Sequence, residues 1–455
     1  MISCLLGLIL GCSDADNPKK TTKEPVKESS HSKTVTDVVE NAVDKNKSKT
    51  VTDVIESQPK TVTDVVESQP KKPIGGPSPV QEPLNGGPYP GLLVSQAWFW
   101  KDEKGGINPG PARLDIWRQT KQGWKKTRLE DPDSNVFHKA IQYDGGILTI
   151  GAEKAMLKKW MHKDGKWSSE ILWSKSWGGK FDRLRDIEIG DVDQDGKEEL
   201  VIATHDYGVV AVLHPDENNR VDEMDQKADT FVHEIEIGDI DGDGKNEFFA
   251  TPSDRNTSSK SQGGGIVMYK WNGSEFVRSN VASYTKTHVK EILSADLNGD
   301  GTSELFSAME AEMIGKTIYK PVRIQQYSLQ PDGSFQEKTI ATFQDRQLRF
   351  LLAGDFDSDK QTELIAASMS AGLWMLDPTE SGEWKKVLIE KDSSGYEHTC
   401  YGSDIDKDGK LELYVAADEQ SLLRRYIWNG SSFTSEDIGK IDKNTITWNI
   451  TTGNF

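Results

Sequence analysis

The chain has 455 residues, 35% of them hydrophobic and 28% charged, with a formal charge of -18. That charge argues against nucleic acid as a partner, and three cysteines cannot make a disulfide framework. The length allows one large domain or two to three ordinary ones.

The first 12 residues, "MISCLLGLILGC", have an apolar core too short to span a bilayer and read as a secretory signal. The ending Ile9-Leu10-Gly11-Cys12 resembles a bacterial lipobox, in which Cys12 becomes the lipidated N-terminus, although no Lys or Arg precedes the core. The expectation is an extracytoplasmic protein, either a membrane-anchored lipoprotein or secreted, touching the membrane through its lipid alone.

Residues 13 to 91 are rich in Lys, Thr, Ser, Glu and Pro and contain the repeats "KTVTDVVE", "KTVTDVIESQP" and "KTVTDVVESQP". Such a segment buries too little apolar area to offset its ordering, so it reads as a disordered tether. As a flexible coil it would reach on the order of 50 Å. It holds 12 acidic and 11 basic residues, so almost all the net charge lies beyond it.

From residue 92 to 455 the pattern changes to short apolar alternations, Gly turns and scattered Trp, which predicts an all-β domain. Seven hairpins of outer strands recur, from "LDIWRQTKQGWKKTRLE" to "LRRYIWNGSSFTSEDI". Six inner strands precede acidic or Gly-rich turns: "FHKAIQYD", "LRDIEIGD", "VHEIEIGD", "VKEILSAD", "RFLLAGD" and "HTCYGSD". The seventh is the C-terminal "TWNITTGNF", while the first hairpin has no inner strand before it. Closure solves both: the last strand completes the first blade of a seven-bladed β-propeller, joining the N- and C-terminal strands and removing sheet edges. Cys400 falls in an inner strand and reads as a small buried apolar residue.

Five loops share a pattern: "DVDQDGKEEL" from Asp191, "DIDGDGKNEF" from Asp239, "DLNGDGTSEL" from Asp296, "DFDSDKQTEL" from Asp355 and "DIDKDGKLEL" from Asp404. They supply 19 carboxylates at positions one, three, five and nine, without which the folded part would be nearly neutral. Alternate hard oxygens on a tight loop suit calcium, with Gly at six for the bend and the carbonyl of residue seven as a further ligand. An EF-hand would need Glu at position twelve, where Ile202, Ala250, Ser307, Ala366 and Val415 stand in apolar runs.

With its D-x-[DN]-x-D-G-x-x-[DE]-[LF] motif complete in four loops at blade spacing, the chain resembles FG-GAP/VCBS propeller repeats of the integrin-α type. The resemblance covers residues 92 to 455. It implies a structural calcium ion in each loop between a blade's first and second strands, up to five in all. The implied ligands are Asp191, Asp193, Asp195 and Glu199; Asp239, Asp241, Asp243 and Glu247; Asp296, Asn298, Asp300 and Glu304. The fourth and fifth sets are Asp355, Asp357, Asp359 and Glu363, and Asp404, Asp406, Asp408 and Glu412. Carbonyls of Lys197, Lys245, Thr302, Gln361 and Lys410 would complete them. Lys360 replaces the Gly of the fourth loop, which puts its bend in question, and the turn "YDGG" after Gln142 has lost the motif.

Six positions before each loop stand His138, Arg185, His233, Lys290, Arg349 and His398, with Trp448 in the closing strand. Inner strands line a propeller's axis, so these residues are expected to ring one mouth of the channel. Loops joining second to third strands should bring Trp98, Trp100, Glu153, His205, Asp206, Asp254, Arg255, Glu310, Glu312 and Glu419 to the same face. A cationic ring with Trp suits an anionic or hydroxyl-rich ligand. The reading is a tethered, monomeric binding module for glycan or protein rather than an enzyme. The alternatives are a polysaccharide lyase or hydrolase acting at the mouth, or a purely structural envelope protein.

Overall fold

The computed structural model describes residues 87–455, apart from 179–181, 206 and 256–261. The signal, Cys12, the tether repeats and Asp206 lie outside the described residues.

Antiparallel four-stranded sheets repeat seven times. The first blade is assembled from both ends of the domain: Pro90–Lys101, Ala112–Thr120 and Gly123–Asp131 are completed by Thr445–Asn454 as the innermost strand. Leu92 pairs with Thr452 and Val94 with Ile450, so backbone hydrogen bonds close the ring. The later inner strands are Phe137–Tyr143, Leu184–Gly190, Thr230–Gly238, Val289–Ala295, Leu348–Gly354 and Cys400–Ser403, opening blades 2 to 7. All seven outer hairpins stand where expected.

The apolar cores lie between blades, one for each neighbouring pair. Phe306, Ala308 and Ile324 of blade 5 pack on Leu348, Leu351 and Leu364 of blade 6. Tyr414 and Leu423 of blade 7 pack on Leu92, Val94 and Trp117 of blade 1. Each sheet is thus covered on both faces. That is why second strands such as Glu199–Thr204, Glu363–Ser368 and Glu412–Ala417 are buried along their whole length and carry unbroken apolar runs. The outermost strands, such as Lys166–Lys175, face water and are mostly polar. Cys400 is fully buried beside Phe356 and Val415, where it packs as an apolar residue.

Candidate functional site

The five acidic loops join first to second strands in blades 3 to 7, and they repeat one hydrogen-bond scheme. The ninth-position Glu begins the second strand and accepts the N–H of the second-position residue through Oε2. The distances are 3.0 Å for Glu199, 3.1 Å for Glu247, 2.9 Å for Glu304, 2.8 Å for Glu363 and 3.0 Å for Glu412. The first Asp accepts the N–H at position six, at 3.1 Å for Asp191, 2.7 Å for Asp239, 2.9 Å for Asp296, 3.1 Å for Asp355 and 2.9 Å for Asp404. The fifth-position Asp195, Asp243, Asp300, Asp359 and Asp408 accept the N–H of Lys197, Lys245, Thr302, Gln361 and Lys410. Each Glu keeps Oε1 and each fifth-position Asp keeps Oδ2 clear of these backbone bonds, whereas Asp239, Asp296, Asp355 and Asp404 accept backbone N–H groups on both oxygens.

These centres fit a hard divalent cation. Oxygens of Asp355, Asp357, Asp359 and Glu363 come within 4.8 Å of one another, as do those of Asp404, Asp406, Asp408 and Glu412. So do Asp191, Asp193 and Asp195, and Asp239, Asp241 and Glu247. Oε1 of Glu199 and of Glu363, and Oδ1 of Asp191, are buried with no hydrogen-bond partner among the described residues. A buried carboxylate oxygen without a donor is costly unless something positive meets it. Burial first, then the neighbouring Asp charges, pushes Glu199 and Glu412 up to about 7 and Glu363 to about 8. The Lys360 substitution does not undo the bend. Lys360 adopts φ 74, close to the φ 86 of Gly196 and 87 of Gly409 at the same position, at a backbone cost of about 1 kcal/mol. The turn of blade 2 is a two-residue hairpin at Asp144-Gly145, both with positive φ, as an Asp-Gly turn prefers.

The loops also join blades. The Asp239 carbonyl accepts the N–H of Ser303 from the next loop at 2.7 Å, and the Asp191 carbonyl accepts the Asn246 side chain at 3.2 Å.

The mouth residues share a backbone cause. The pairing of first and second strands skips one residue near the start of each inner strand, and the skipped residue is His138, Arg185, Lys290 or Arg349 in blades 2, 3, 5 and 6. In blade 4 the skip spans His233 and Glu234, and in blade 1 it falls on Trp448. A bulge leaves its extra residue outside the ladder and re-aims the side chain. In blade 7 the strand starts at Cys400, and His398 lies ahead of it with φ 55.

The bulged residues converge. Arg185 Nε donates to His233 Nδ1 at 3.4 Å, its guanidinium lies 4.8 Å from the Trp448 ring centre, and it reaches Glu397 at 3.7 Å. Arg349 pairs with Glu397 and with Glu310, both at 3.2 Å, and Lys290 lies 3.5 Å from Glu310. Arg185 belongs to blade 3 and Glu397 leads into blade 7, so this contact spans the channel. His138 donates from Nδ1 to the Leu184 carbonyl at 2.7 Å and stands edge-on to Trp448, with His205 edge-on to His233. Burial first, then the nearby Arg and Lys charges, holds His138 and His233 well below the usual histidine range, so both are neutral. With Nδ1 of His233 accepting from Arg185, its proton sits on Nε2. That atom and the Trp448 indole N–H are buried donors without an acceptor among the described residues.

His398 does not join this group. It is fully buried, with Nδ1 2.6 Å from the Ser368 carbonyl and Nε2 2.7 Å from Ser393 Oγ, so both nitrogens are engaged in the wall. Of the second-to-third connections, Glu310 and His205 meet the ring, whereas Glu312 pairs with Lys320, and Glu153 accepts from Asn135. Arg255 pairs with Asp229, Asp254 accepts the Gly263 N–H, and Trp98 lies under Arg113.

Glu397, Tyr396 and His288 were not singled out from the sequence. Glu397 had a signal. The residues preceding the ring positions are Phe137, Leu184, Val232, Val289, Leu348, Glu397 and Thr447, and a charge stands only at Glu397. Below the ring the channel turns acidic. Lys139 is paired with Asp186 at 3.0 Å and with Glu188, and burial raises Glu188, Glu234, Glu236 and Glu291 above the usual carboxylate range.

Residues 239–307 match the FG-GAP-like repeat family, a span holding the second and third acidic loops. The chain is a seven-bladed propeller, of which residues 239–307 are similar to the FG-GAP-like repeat. No curated protein matches the sequence. Among solved structures, a Lactobacillus plantarum protein is similar at TM-score 0.53 with 9% identity, over 80% of this chain and 99% of that one. A candidate 6-phosphogluconolactonase from Bacteroides fragilis is similar at TM-score 0.50 with 14% identity, over 82% of this chain and 100% of that one. At such identities the likeness concerns the fold alone.

Proposed function

We propose that this protein is a calcium-stabilised binding module whose channel mouth takes an anionic glycan. The observation that carries the reading is the bulge ring. Six blades re-aim one residue each into a single cluster of Arg185, Arg349, Lys290, His138, His233 and Trp448. Within it the His233 Nε2–H and the Trp448 indole N–H are buried donors awaiting an acceptor. Guanidinium and neutral donors beside an aromatic face suit a carboxylate on a hydroxyl-bearing ring. Calcium is the ion we assign to the loops, because the donors within each loop are oxygens and flexible in number, His214 alone adding a nitrogen beside the blade 3 set.

The test incubates the calcium-loaded protein with acidic and neutral polysaccharides, following bound protein and released oligosaccharides together. The expected result is binding of acidic chains without products. Arg185→Gln should weaken it about tenfold or more, the scale of one charged hydrogen bond, and Trp448→Phe about fivefold. Released products would establish the lyase or hydrolase reading instead. Silence in both channels would overturn the glycan assignment in favour of a protein ligand or a structural role.

We further propose that the protein acts as an exported monomer anchored through Cys12, a reading that rests on the sequence of residues 1 to 12. Cys12→Ser should move it from the membrane fraction to the soluble fraction. An unchanged distribution would remove the anchor.

A further inference from the structure

The five loops share one backbone but not one charge. In blade 4, the third-strand residue Lys270 sends its ammonium among the loop carboxylates. It contacts Asp241 and lies 2.9 Å from Asp243 and 3.0 Å from Glu247, three of the four implied side-chain ligands. In blade 7, Arg425 projects from the same strand position less two, hence from the same face. Its Nη1 lies 3.0 Å from Asp406 and 3.4 Å from Glu412, while Nε and Nη2 are anchored on Glu436 at 3.2 and 2.8 Å.

The other three loops differ. Among the described residues no Lys or Arg pairs with Glu199, Glu304 or Glu363. His214 stands 3.8 Å from Glu199, and the Asn298 amide meets Glu304 at 3.0 Å. Glu363 Oε1 has no partner.

We propose that Lys270 and Arg425 are resident cations, which hold the loops of blades 4 and 7 in place of a dication, so that the protein takes three calcium ions rather than five. The proposal rests on reading the loops as calcium sites. For calcium to enter blade 4, it must evict an ammonium from three carboxylates and then bear that ammonium's repulsion at a few ångströms. In blades 5 and 6 it displaces no side-chain cation, and in blade 3 only the exposed Lys197 ammonium on Asp195, 3.1 Å away, with His214 3.5 Å from Asp193. The buried Oε1 of Glu199 and of Glu363 has no Lys or Arg beside it, whereas that of Glu247, also without a hydrogen bond, faces Lys270 at 3.0 Å. The arrangement would let two blades keep their loops when external calcium falls.

The experiment counts calcium per full-length chain by equilibrium dialysis at saturating free calcium. It adds hydrogen exchange of residues 239 to 250 before and after EDTA. Three ions are expected in the native protein, and four in both Lys270→Met and Lys270→Gln. Exchange in 239 to 250 should barely respond to EDTA in the native protein and rise at least tenfold in the variants. Four or five ions in the native protein, or counts unchanged in both variants, would overturn the proposal while leaving the calcium reading intact. No bound calcium at all would overturn both.

Discussion

If the loops hold calcium as proposed, chelation is expected to lower the melting temperature of this protein by about 20 °C. An ion present at a thousandfold excess over its Kd stabilises the folded state by about 4 kcal/mol, and three such ions act together. In a domain of this size each kcal/mol is worth about 2 °C. The loss spreads beyond the loops, because Asp191 and Ser303 of the ion-bearing loops in blades 3 and 5 carry contacts to blade 4. Scanning calorimetry with and without EDTA measures the effect, and an unchanged transition would remove calcium from the account.

The chelated protein should also depend on pH with a particular sign. Glu199, Glu363 and Glu412 sit at about 7, 8 and 7, above their ordinary value of 4.5. Between those values the folded state binds more protons than the unfolded state, so stability falls as pH rises. Lowering the pH from 8 towards 6.5 therefore stabilises the ion-free protein. Below 6.5 the buried neutral histidines His138, His233 and His398 act oppositely, since the unfolded chain protonates them more readily. The three glutamates still gain from falling pH down to their ordinary 4.5, so below 6.5 the two sets offset each other and the rise levels off in the chelated form. With calcium bound Glu199 and Glu363 are held ionised, so most of the rise from pH 8 to 6.5 disappears and only the share of Glu412, in a blade held by Arg425, is left. A flat profile without calcium would contradict the buried, like-charged state of these glutamates.

Replacing Arg349 with Ala destabilises the fold by about 3–5 kcal/mol, the usual penalty for stripping the partner from buried charges. Arg349 is almost wholly buried and serves both Glu310 and Glu397, so its removal leaves Glu310 with the Lys290 contact at 3.5 Å and Glu397 with the Arg185 contact at 3.7 Å. Arg349→Ala/Glu397→Gln should recover a large part of the loss, because it removes the stranded charge. Arg185 contacts Glu397 only at 3.7 Å, so Arg185→Gln should affect ligand binding more than stability. Urea titration of the four proteins separates these outcomes. Equal stability of native protein and Arg349→Ala would mean that the axial pairs are solvated and carry no stabilisation.

The architecture was legible in the sequence because two independent periods agreed. The acidic loops mark every inner turn from blade 3 onward, and Gly-aromatic hairpins mark every outer turn but that of blade 3, which uses Pro215 to Asn219 instead. Chain closure could be read from a count, one inner strand missing at the start and one supernumerary at the end. Local rules go no further at the mouth. The position six residues before each loop could be recognised as basic, but its meaning depends on a bulge, and bulges arise from the pairing of two strands rather than from either strand alone. His398 has the same spacing and the same residue type as His233. It is nevertheless turned into the wall, because it lies two residues ahead of its strand, which starts at Cys400, whereas His233 lies inside Thr230–Gly238, and because its backbone is left-handed.

The loops divide along the same line. Spacing within nine residues determined which oxygens face one centre, since a tight loop's geometry is set by its own hydrogen bonds. Whether that centre already holds a positive charge was decided by Lys270 and Arg425, which reach it from the third strand across the sheet. The sequence by itself determined the fold class, the blade number and the five acidic loops, because these follow from short-range periodicity. The tertiary structure alone decided the pairing of Arg185 and Arg349 with Glu397, and the unequal charge of the loops. Those contacts join residues far apart in the chain, and their energy depends on the burial that only the closed ring provides.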